Sequence, residues 1–461
     1  MNRLFVSAAH KSSGKTTVCV GLCAALRARG EAVQPFKKGP DYIDPLWLGL
    51  AAGRPCYNLD PYLSGADEIR AELARRMHGA SLGHVEGNKG LYDGLDLHGS
   101  NSNAALAALI GAPVVLVIDA RGMTRGIAPL ILGYQAFDKN VRIAGVILNQ
   151  LGGSRHEAKL RAVIAHYTDV PVLGAVQHDE RMTIVERHLG LMPSNETQTA
   201  RERVNEIATL IAAGVDLDRL LAVARDASPL PATPASGAPG QLGGPPVRVG
   251  VARDAAFSFY YPGDLEALGA AGAELIPFDA LRDKCLPQMD GLFIGGGFPE
   301  THMDTLAANT ELRADVRRAI EAGLPAYAEC GGLMYLARGI EWNGRRAEMV
   351  GVIPADIVMH ARPVGRGYVH LRETGRSPWP QAPLRDALPI RAHEFHYSSV
   401  ENLHRSVEFA YEVERGHGID GRHDGIVYKN LLASYAHLRD VTGNPWARRF
   451  VEFVRSCKRA A

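Results

Sequence analysis

Leu4-Phe5-Val6-Ser7-Ala8-Ala9-His10-Lys11-Ser12-Ser13-Gly14-Lys15-Thr16-Thr17 is the stretch on which the reading of the fold turns. An apolar run (residues 4–8) enters a short polar loop. A helical pattern (residues 16–29) then follows until Gly30 stops it. The order strand, glycine loop, helix is that of a phosphate cradle with the pattern G-x-x-x-x-G-K-[ST]. Gly14-Lys15-Thr16 is intact, and Ala9 stands where the first glycine belongs. The physics survives that change: backbone N–H groups at a helix start hold phosphate, Lys15 reaches the outer phosphates, and the Thr16 hydroxyl can bind Mg²⁺. Ser13, Gly14, Lys15, Thr16 and Thr17 are therefore nucleotide-binding candidates.

Working outward, Pro35-Phe36-Lys37-Lys38-Gly39-Pro40-Asp41-Tyr42-Ile43-Asp44-Pro45 places two carboxylates three residues apart between prolines. A turn with solvated charges would look the same. His84-Val85-Glu86-Gly87-Asn88-Lys89-Gly90-Leu91-Tyr92-Asp93-Gly94 ends an apolar run on an acid, where open α/β sheets place ligand-contacting groups. Glu86 is expected to hold Mg²⁺ with Thr16, because Mg²⁺ needs few carboxylates beside phosphate oxygens. Asn149 ends another apolar run; its amide is suited to a base edge, although capping a loop is the commoner use of an asparagine in that pattern. Residues 114–119, 143–149 and 172–176 read as further buried strands.

The stretch ASPLPATPASGAPGQLGGPP (residues 227–246) cannot bury a core and reads as a linker. It separates residues 1–226 from residues 247–461. In the second part, apolar runs at 247–252, 275–278, 291–294 and 326–329 alternate with helical patterns, so both parts are expected to be parallel α/β sheets. Pro325-Ala326-Tyr327-Ala328-Glu329-Cys330-Gly331-Gly332 runs a strand into a cysteine, two glycines and a helix. This is a nucleophile elbow with Ala328 at the first glycine position. Gly295-Gly296-Gly297 ends the strand before it, and N–H groups of Gly297 and Gly331 are suited to an oxyanion. The base must be one of His360, His370, His393, His396, His404, His417, His423 or His437. His393 and His396 flank Glu394 without a third ligand, so they read as structural or substrate-contacting.

A formal net charge of +1 gives no reason to expect nucleic acid or an anionic membrane as partner. No apolar run approaches the roughly 20 residues of a membrane span. The six cysteines, Cys19, Cys23, Cys56, Cys285, Cys330 and Cys457, form no C-x-x-C pair. With no signal-peptide pattern ahead of residue 4, reduced thiols and a cytoplasmic location are expected.

Taken in order, SSGKTT, FKKGPDYIDP, EGNKGLYDG, VILN, GGGFPE, AECGGLMYL, AHEFHYS and ASYAHL resemble the motifs of the cobyrinic acid a,c-diamide synthase family over nearly the whole chain. The resemblance implies a dethiobiotin-synthetase-like ATP-binding domain fused to a class I glutamine amidotransferase domain of flavodoxin-like fold. It implies ATP-driven amidation of the a and c acetates of a tetrapyrrole-derived polycarboxylate: ATP phosphorylates a carboxylate, and ammonia from L-glutamine displaces the phosphate. Carried over by motif, Gly14, Lys15, Thr16 and Lys37 lie on the triphosphate, and Thr16, Asp41 and Glu86 surround Mg²⁺. Asp44 and Asp93 help activate the substrate carboxylates, Cys330 is the nucleophile and His437 its base. Asn149 is kept with the nucleotide, and a homodimer is left open.

Two departures stand out. Asn88-Lys89 replaces the more usual valine–methionine pair, a variant resembling the branch that amidates siroheme. Arg439 stands two residues after His437, where most class I amidotransferases place a glutamate; the third triad member is then missing or supplied otherwise. Competing readings are cobyric acid synthase, CTP synthase and a partitioning-type switch ATPase, the last of which has no use for an elbow cysteine.

Overall fold

Every residue of β1 (Arg3–Ala8) is buried, as befits a strand covered on both faces. It lies inside a seven-stranded sheet in the computed structural model, which describes residues 1–184, 186–187, 190–196, 199–231, 244–380 and 389–460. The other strands are β2 (Val33–Lys38), β3 (Tyr57–Leu59), β4 (Leu82–Gly90), β5 (Val114–Asp119), β6 (Ile143–Leu151) and β7 (Val172–Gln177). Their order is β3-β2-β4-β1-β5-β6-β7, and every pairing is parallel. Register sets Val6 and Lys37 on either side of Glu86. The carboxyl ends of β1, β2 and β4 therefore converge, where open α/β sheets bind ligands.

Helix α1 (Lys15–Ala28) leaves the loop after β1 and packs along the helix Ala200–Gly214. The contact is close: a Cβ on Gly21 would lie 2.3 Å from Ile211. Helix α2 (Ile43–Ala52) follows β2 and ends at Gly53, whose φ of 68° is readily adopted by glycine.

Contacts divide the chain into Met1–Ser236 and Gly237–Ala461. The division falls within the stretch expected to be a linker, of which residues 232–243 lie outside the described residues.

The second unit contains β8 (Val247–Ala252), β9 (Ala273–Phe278), β10 (Gly291–Ile294), β11 (Ala326–Glu329), β12 (Gly365–Glu373), β13 (Ile390–His396), β14 (Glu408–Arg415), β15 (His423–Tyr428) and β16 (Leu431–Ser434). They form one sheet ordered β9-β8-β10-β11-β16-β15-β14-β12-β13. This corrects the expectation of a wholly parallel sheet. The pairings from β9 to β16 are parallel, and those from β16 to β13 are antiparallel. The reason is local. Only Lys429 and Asn430 separate β15 from β16, with Lys429 at φ 51°, and a two-residue connection joins antiparallel strands.

Among the described residues, no helix is long and apolar enough to cross a membrane.

Candidate active sites

In the first unit the loop after β1 is held by its carbonyls. Tyr134 donates its hydroxyl to Ala9 O, Ser13 Oγ donates to His10 O at 2.8 Å, and Asn149 Nδ2 donates to Ser13 O at 2.9 Å. Gly14 has φ 75°, and a Cβ there would lie 2.3 Å from the Asn149 amide, so both backbone and space call for glycine. Asn149 thus supports the loop from below, with its amide nitrogen committed to that task. Thr17 follows in the first turn of α1.

Glu86 is fully buried in the middle of β4. Its Oε1 receives Lys15 Nζ at 2.5 Å, Thr16 Oγ1 at 2.7 Å and Lys37 Nζ at 3.1 Å. Burial alone would raise its pKa, but the two ammonium groups and the Lys15 and Thr16 hydrogen bonds hold it below the usual carboxylate range. Lys37 is 1% exposed; burial opposes its charge, and Asp44, Glu86 and Asp41 together push its pKa well above normal.

Asp44 Oδ2 accepts from Lys37 Nζ and lies 3.2 Å from Thr16 Oγ1. Asp41 is placed differently. Its Oδ1 accepts from the N–H groups of Ile43 and Asp44 at 3.0 and 3.1 Å, capping the start of α2, and its Oδ2 is 3.6 Å from Lys37. The expectation sets Asp41 with Thr16 and Glu86, and Asp44 at the substrate; in this geometry Asp44 is the carboxylate beside the Thr16 hydroxyl. Asp93 is exposed, and its Oδ2 accepts from Gly90 N at 3.0 Å, a turn-capping bond.

Glu86 Oε2 is buried without a hydrogen-bond partner. An orphaned carboxylate oxygen next to a threonine hydroxyl and a second carboxylate is a donor set that fits a hard divalent cation. No group of three His, Cys, Asp or Glu side chains is arranged to hold a metal by itself, among the described residues. That suits an ion completed by phosphate oxygens.

In the second unit, Cys330 sits between β11 and the helix Gly331–Leu336 with φ 46° and ψ −100°. A non-glycine residue held there is a strained turn of the kind found at nucleophiles. The Cys330 N–H donates to Ser434 O at 2.7 Å, tying the turn to the end of β16. His437, three residues further on, shares a hydrogen bond with the thiol. Gly297 N would lie 3.0 Å from a Cβ on Gly331, so the two backbone segments expected to form the oxyanion site meet.

His437 is 3% exposed, and its Nδ1 is 3.4 Å from Glu329 Oε2. Burial opposes its charge, but the Cys330 thiol and the Glu329 carboxyl group beside it carry its pKa up to about 10. His393 stacks on it with ring centroids 4.9 Å apart. His396 stacks on Tyr435 instead, 3.7 Å between centroids, and meets Ser398 O through Nδ1 at 2.8 Å.

Comparison with known proteins follows the same division. Residues 5–191 match the CobQ/CobB/MinD/ParA nucleotide binding domain, and residues 248–441 match the CobB/CobQ-like glutamine amidotransferase domain. A cobyrinate a,c-diamide synthase of Magnetococcus marinus is 50% identical, with 98% of this chain and 97% of the relative covered. One of Methanosarcina acetivorans is 40% identical over 98% and 95%.

The chain belongs to the cobyrinate a,c-diamide synthase family.

As a member of that family it is a carbon–nitrogen ligase with glutamine as nitrogen donor, built from a nucleotide-binding unit and a glutamine amidotransferase unit. One residue of the second centre, Glu329, is not singled out by the sequence motifs. Glu329 was legible as a charged residue closing an apolar strand directly before the nucleophile. Strand alternation, however, would turn its side chain away from the thiol's neighbourhood.

Proposed function

We propose that this chain amidates the a and c acetate carboxylates of cobyrinate, with ATP as energy source and L-glutamine as nitrogen source. The observation that carries the reading is the presence, in one chain, of the Lys15–Thr16–Lys37–Asp44–Glu86 cluster and the Cys330–His437 elbow. The names of the relatives supply the macrocycle.

In the second unit, Cys330 Sγ attacks the carboxamide carbon of glutamine, and Gly297 and Gly331 N–H groups receive the oxyanion. The C–N bond breaks, His437 gives its proton to the departing ammonia, and water releases glutamate from the thioester. In the first unit, the loop N–H groups with Lys15 and Lys37 hold the triphosphate. A substrate carboxylate oxygen attacks the γ-phosphorus, ADP leaves, and an acyl phosphate results. Ammonia then attacks the acyl carbon and phosphate departs, once for each acetate. Placement and charge neutralisation supply most of the rate in such transfers. Thr16, Glu86 and Asp44 would hold Mg²⁺, which when bound neutralises phosphate charge. Asp41 shapes the start of α2, and Asp93 fixes the turn at Gly90. The expected setting is the cytoplasm, with small molecules as partners.

A second substrate reading has an observation of its own. Lys89 has φ 43°, a conformation unusual outside glycine, at the exit of β4, where Lys38 Nζ donates to Asn88 Oδ1 at 3.3 Å. Two lysines beside one loop suit a macrocycle richer in carboxylates, of the sirohydrochlorin type. One experiment tests both. The protein is incubated with ATP, Mg²⁺ and glutamine, and with cobyrinate, siroheme or nickel sirohydrochlorin in separate reactions. Mass spectra should show a diamide from cobyrinate. A diamide from siroheme or nickel sirohydrochlorin alone would replace the first reading with the second, and no amide from any would reject both.

A further inference from the structure

We propose that Glu329, the residue immediately before the nucleophile, is the positioning acid of the glutaminase, replacing the glutamate expected two residues after the histidine. The proposal rests on the Cys330–His437 reading above and adds its third member.

The expected position is occupied by a residue that cannot serve. Arg439 is 8% exposed, pairs with Asp264 and lies with its guanidinium 4.4 Å from the Tyr261 ring centroid. Asp264 is in turn held by Trp446 Nε1 at 3.1 Å. The site of the missing acid is therefore filled by a buried ion pair of its own.

Glu329 has the geometry the role needs. It is 3% exposed, and its Oε2 lies 3.4 Å from His437 Nδ1, a loose approach of the sort that tightens when substrate is bound. Its Oε1 accepts from Tyr327 Oη at 2.5 Å and from Leu438 N at 3.0 Å. The second bond ties the carboxylate to the residue following the histidine it faces, so ring and acid are held as one unit. With Nδ1 turned to Glu329, Nε2 is the ring nitrogen left for the thiol.

Adjacent residues of a strand ordinarily face opposite ways. The elbow removes that objection. Cys330 leaves the strand at φ 46°, and the turn lets its thiol reach the imidazole that Glu329 reaches from the strand.

Other ionisable groups near the ring do not compete. His393 stacks on its face, and burial together with the neighbouring His437 charge holds the His393 pKa well below normal, so it is neutral there. Asp424 is committed to the N–H groups of Gly425, Tyr435 and Ala436. Glu394 is committed to those of His417 and Gly418. Arg439 and Asp264 neutralise each other.

The Glu329 carboxyl group holds the imidazole in one orientation and favours its protonated form, which carries the proton for the leaving ammonia.

The test uses the full chain with Glu329→Gln and Glu329→Asp. Glutaminase rate and the rate at which 6-diazo-5-oxo-L-norleucine labels Cys330 are both followed across pH. Glu329→Gln should lower kcat roughly 10- to 100-fold, the scale of a partner that orients a histidine and less than the loss of the acid–base itself, with KM for glutamine little changed. Because the carboxylate favours charged His437, its loss should move the alkaline limb of kcat/KM to lower pH by about one unit. Glu329→Asp should keep the wild-type limb and recover part of kcat. A folded Glu329→Gln protein with wild-type kcat and an unmoved limb overturns the proposal. So does a Glu329→Asp protein that folds yet shows the shifted limb of Glu329→Gln. If wild-type Cys330 takes no label, the underlying glutaminase reading fails as well, which separates the two failures.

Discussion

The nucleotide cradle gathers two ammonium groups, from α1 and β2, around a single oxygen of Glu86 in β4, sets Asp44 of α2 against one of them, and leaves the other oxygen of Glu86 buried and unpaired. The elbow uses far less charge: one thiol, one imidazole and one carboxylate, each already in contact with the next. Buried charge costs several kcal/mol per ion unless it is compensated. The cradle leaves part of that cost standing, to be offset by cation and phosphates; the elbow meets it internally. The difference teaches where each centre is vulnerable. The cradle should be sensitive to any loss of charge, and the elbow to loss of orientation.

The comparison breaks most sharply at Lys15. Lys15→Ala removes a phosphate contact and unbalances Glu86, so amidation should fall by roughly 10³-fold or more, with glutamine and with ammonium salts alike. Normal ammonium-driven amidation in that variant would show the cradle to be idle. Cys330→Ala should be as severe with glutamine yet leave amidation from ammonium salts, since only the nitrogen supply is cut. A folded variant inactive with both would join what the comparison separates.

The carboxylates sharpen the contrast within the cradle. Asp44→Asn should slow ammonium-driven amidation by roughly 10²-fold and weaken its dependence on Mg²⁺, because Asp44 stands beside Thr16. Asp41→Asn, which keeps an oxygen able to cap α2, should cost roughly tenfold or less. Asp93→Asn should cost least and leave glutaminase chemistry untouched. Rates measured against Mg²⁺ concentration rank the three, and equal losses at Asp41 and Asp44 would undo the assignment drawn from geometry.

The smallest effect concerns stability. His84, two residues before Glu86, is fully buried, and neither ring nitrogen has a hydrogen-bond partner. Burial lowers its pKa to about 4 from the usual 6.5. A depressed histidine contributes stability that is present above pH 6.5 and is lost as pH falls towards 4, here at most about 3 kcal/mol. His84→Leu should flatten that acid loss. The readout is the calorimetric transition of the nucleotide-binding unit, identified by its upward shift with an ATP analogue. An unchanged acid slope would mean that other groups set it.

Much of this is written locally in the chain. Gly14-Lys15-Thr16 after an apolar run, and Cys330-Gly331-Gly332 after another, announce a loop and an elbow because a strand, a tight turn and a helix start are each specified by a few adjacent residues. The same holds for strands such as β5 and β8, whose bounds coincide with their apolar runs. The antiparallel strands β12 to β15 were harder to see, since strands such as Glu408–Arg415 mix buried and exposed residues and lack a continuous apolar run. The sequence by itself thus determined two α/β units, a phosphate loop and a nucleophilic cysteine. Only the tertiary structure decided which aspartate reaches Thr16, that Asn149 props the loop, and that Glu329 faces His437. Those three depend on register between strands distant in sequence and on one positive φ, and neither is encoded in the spacing of neighbouring residues.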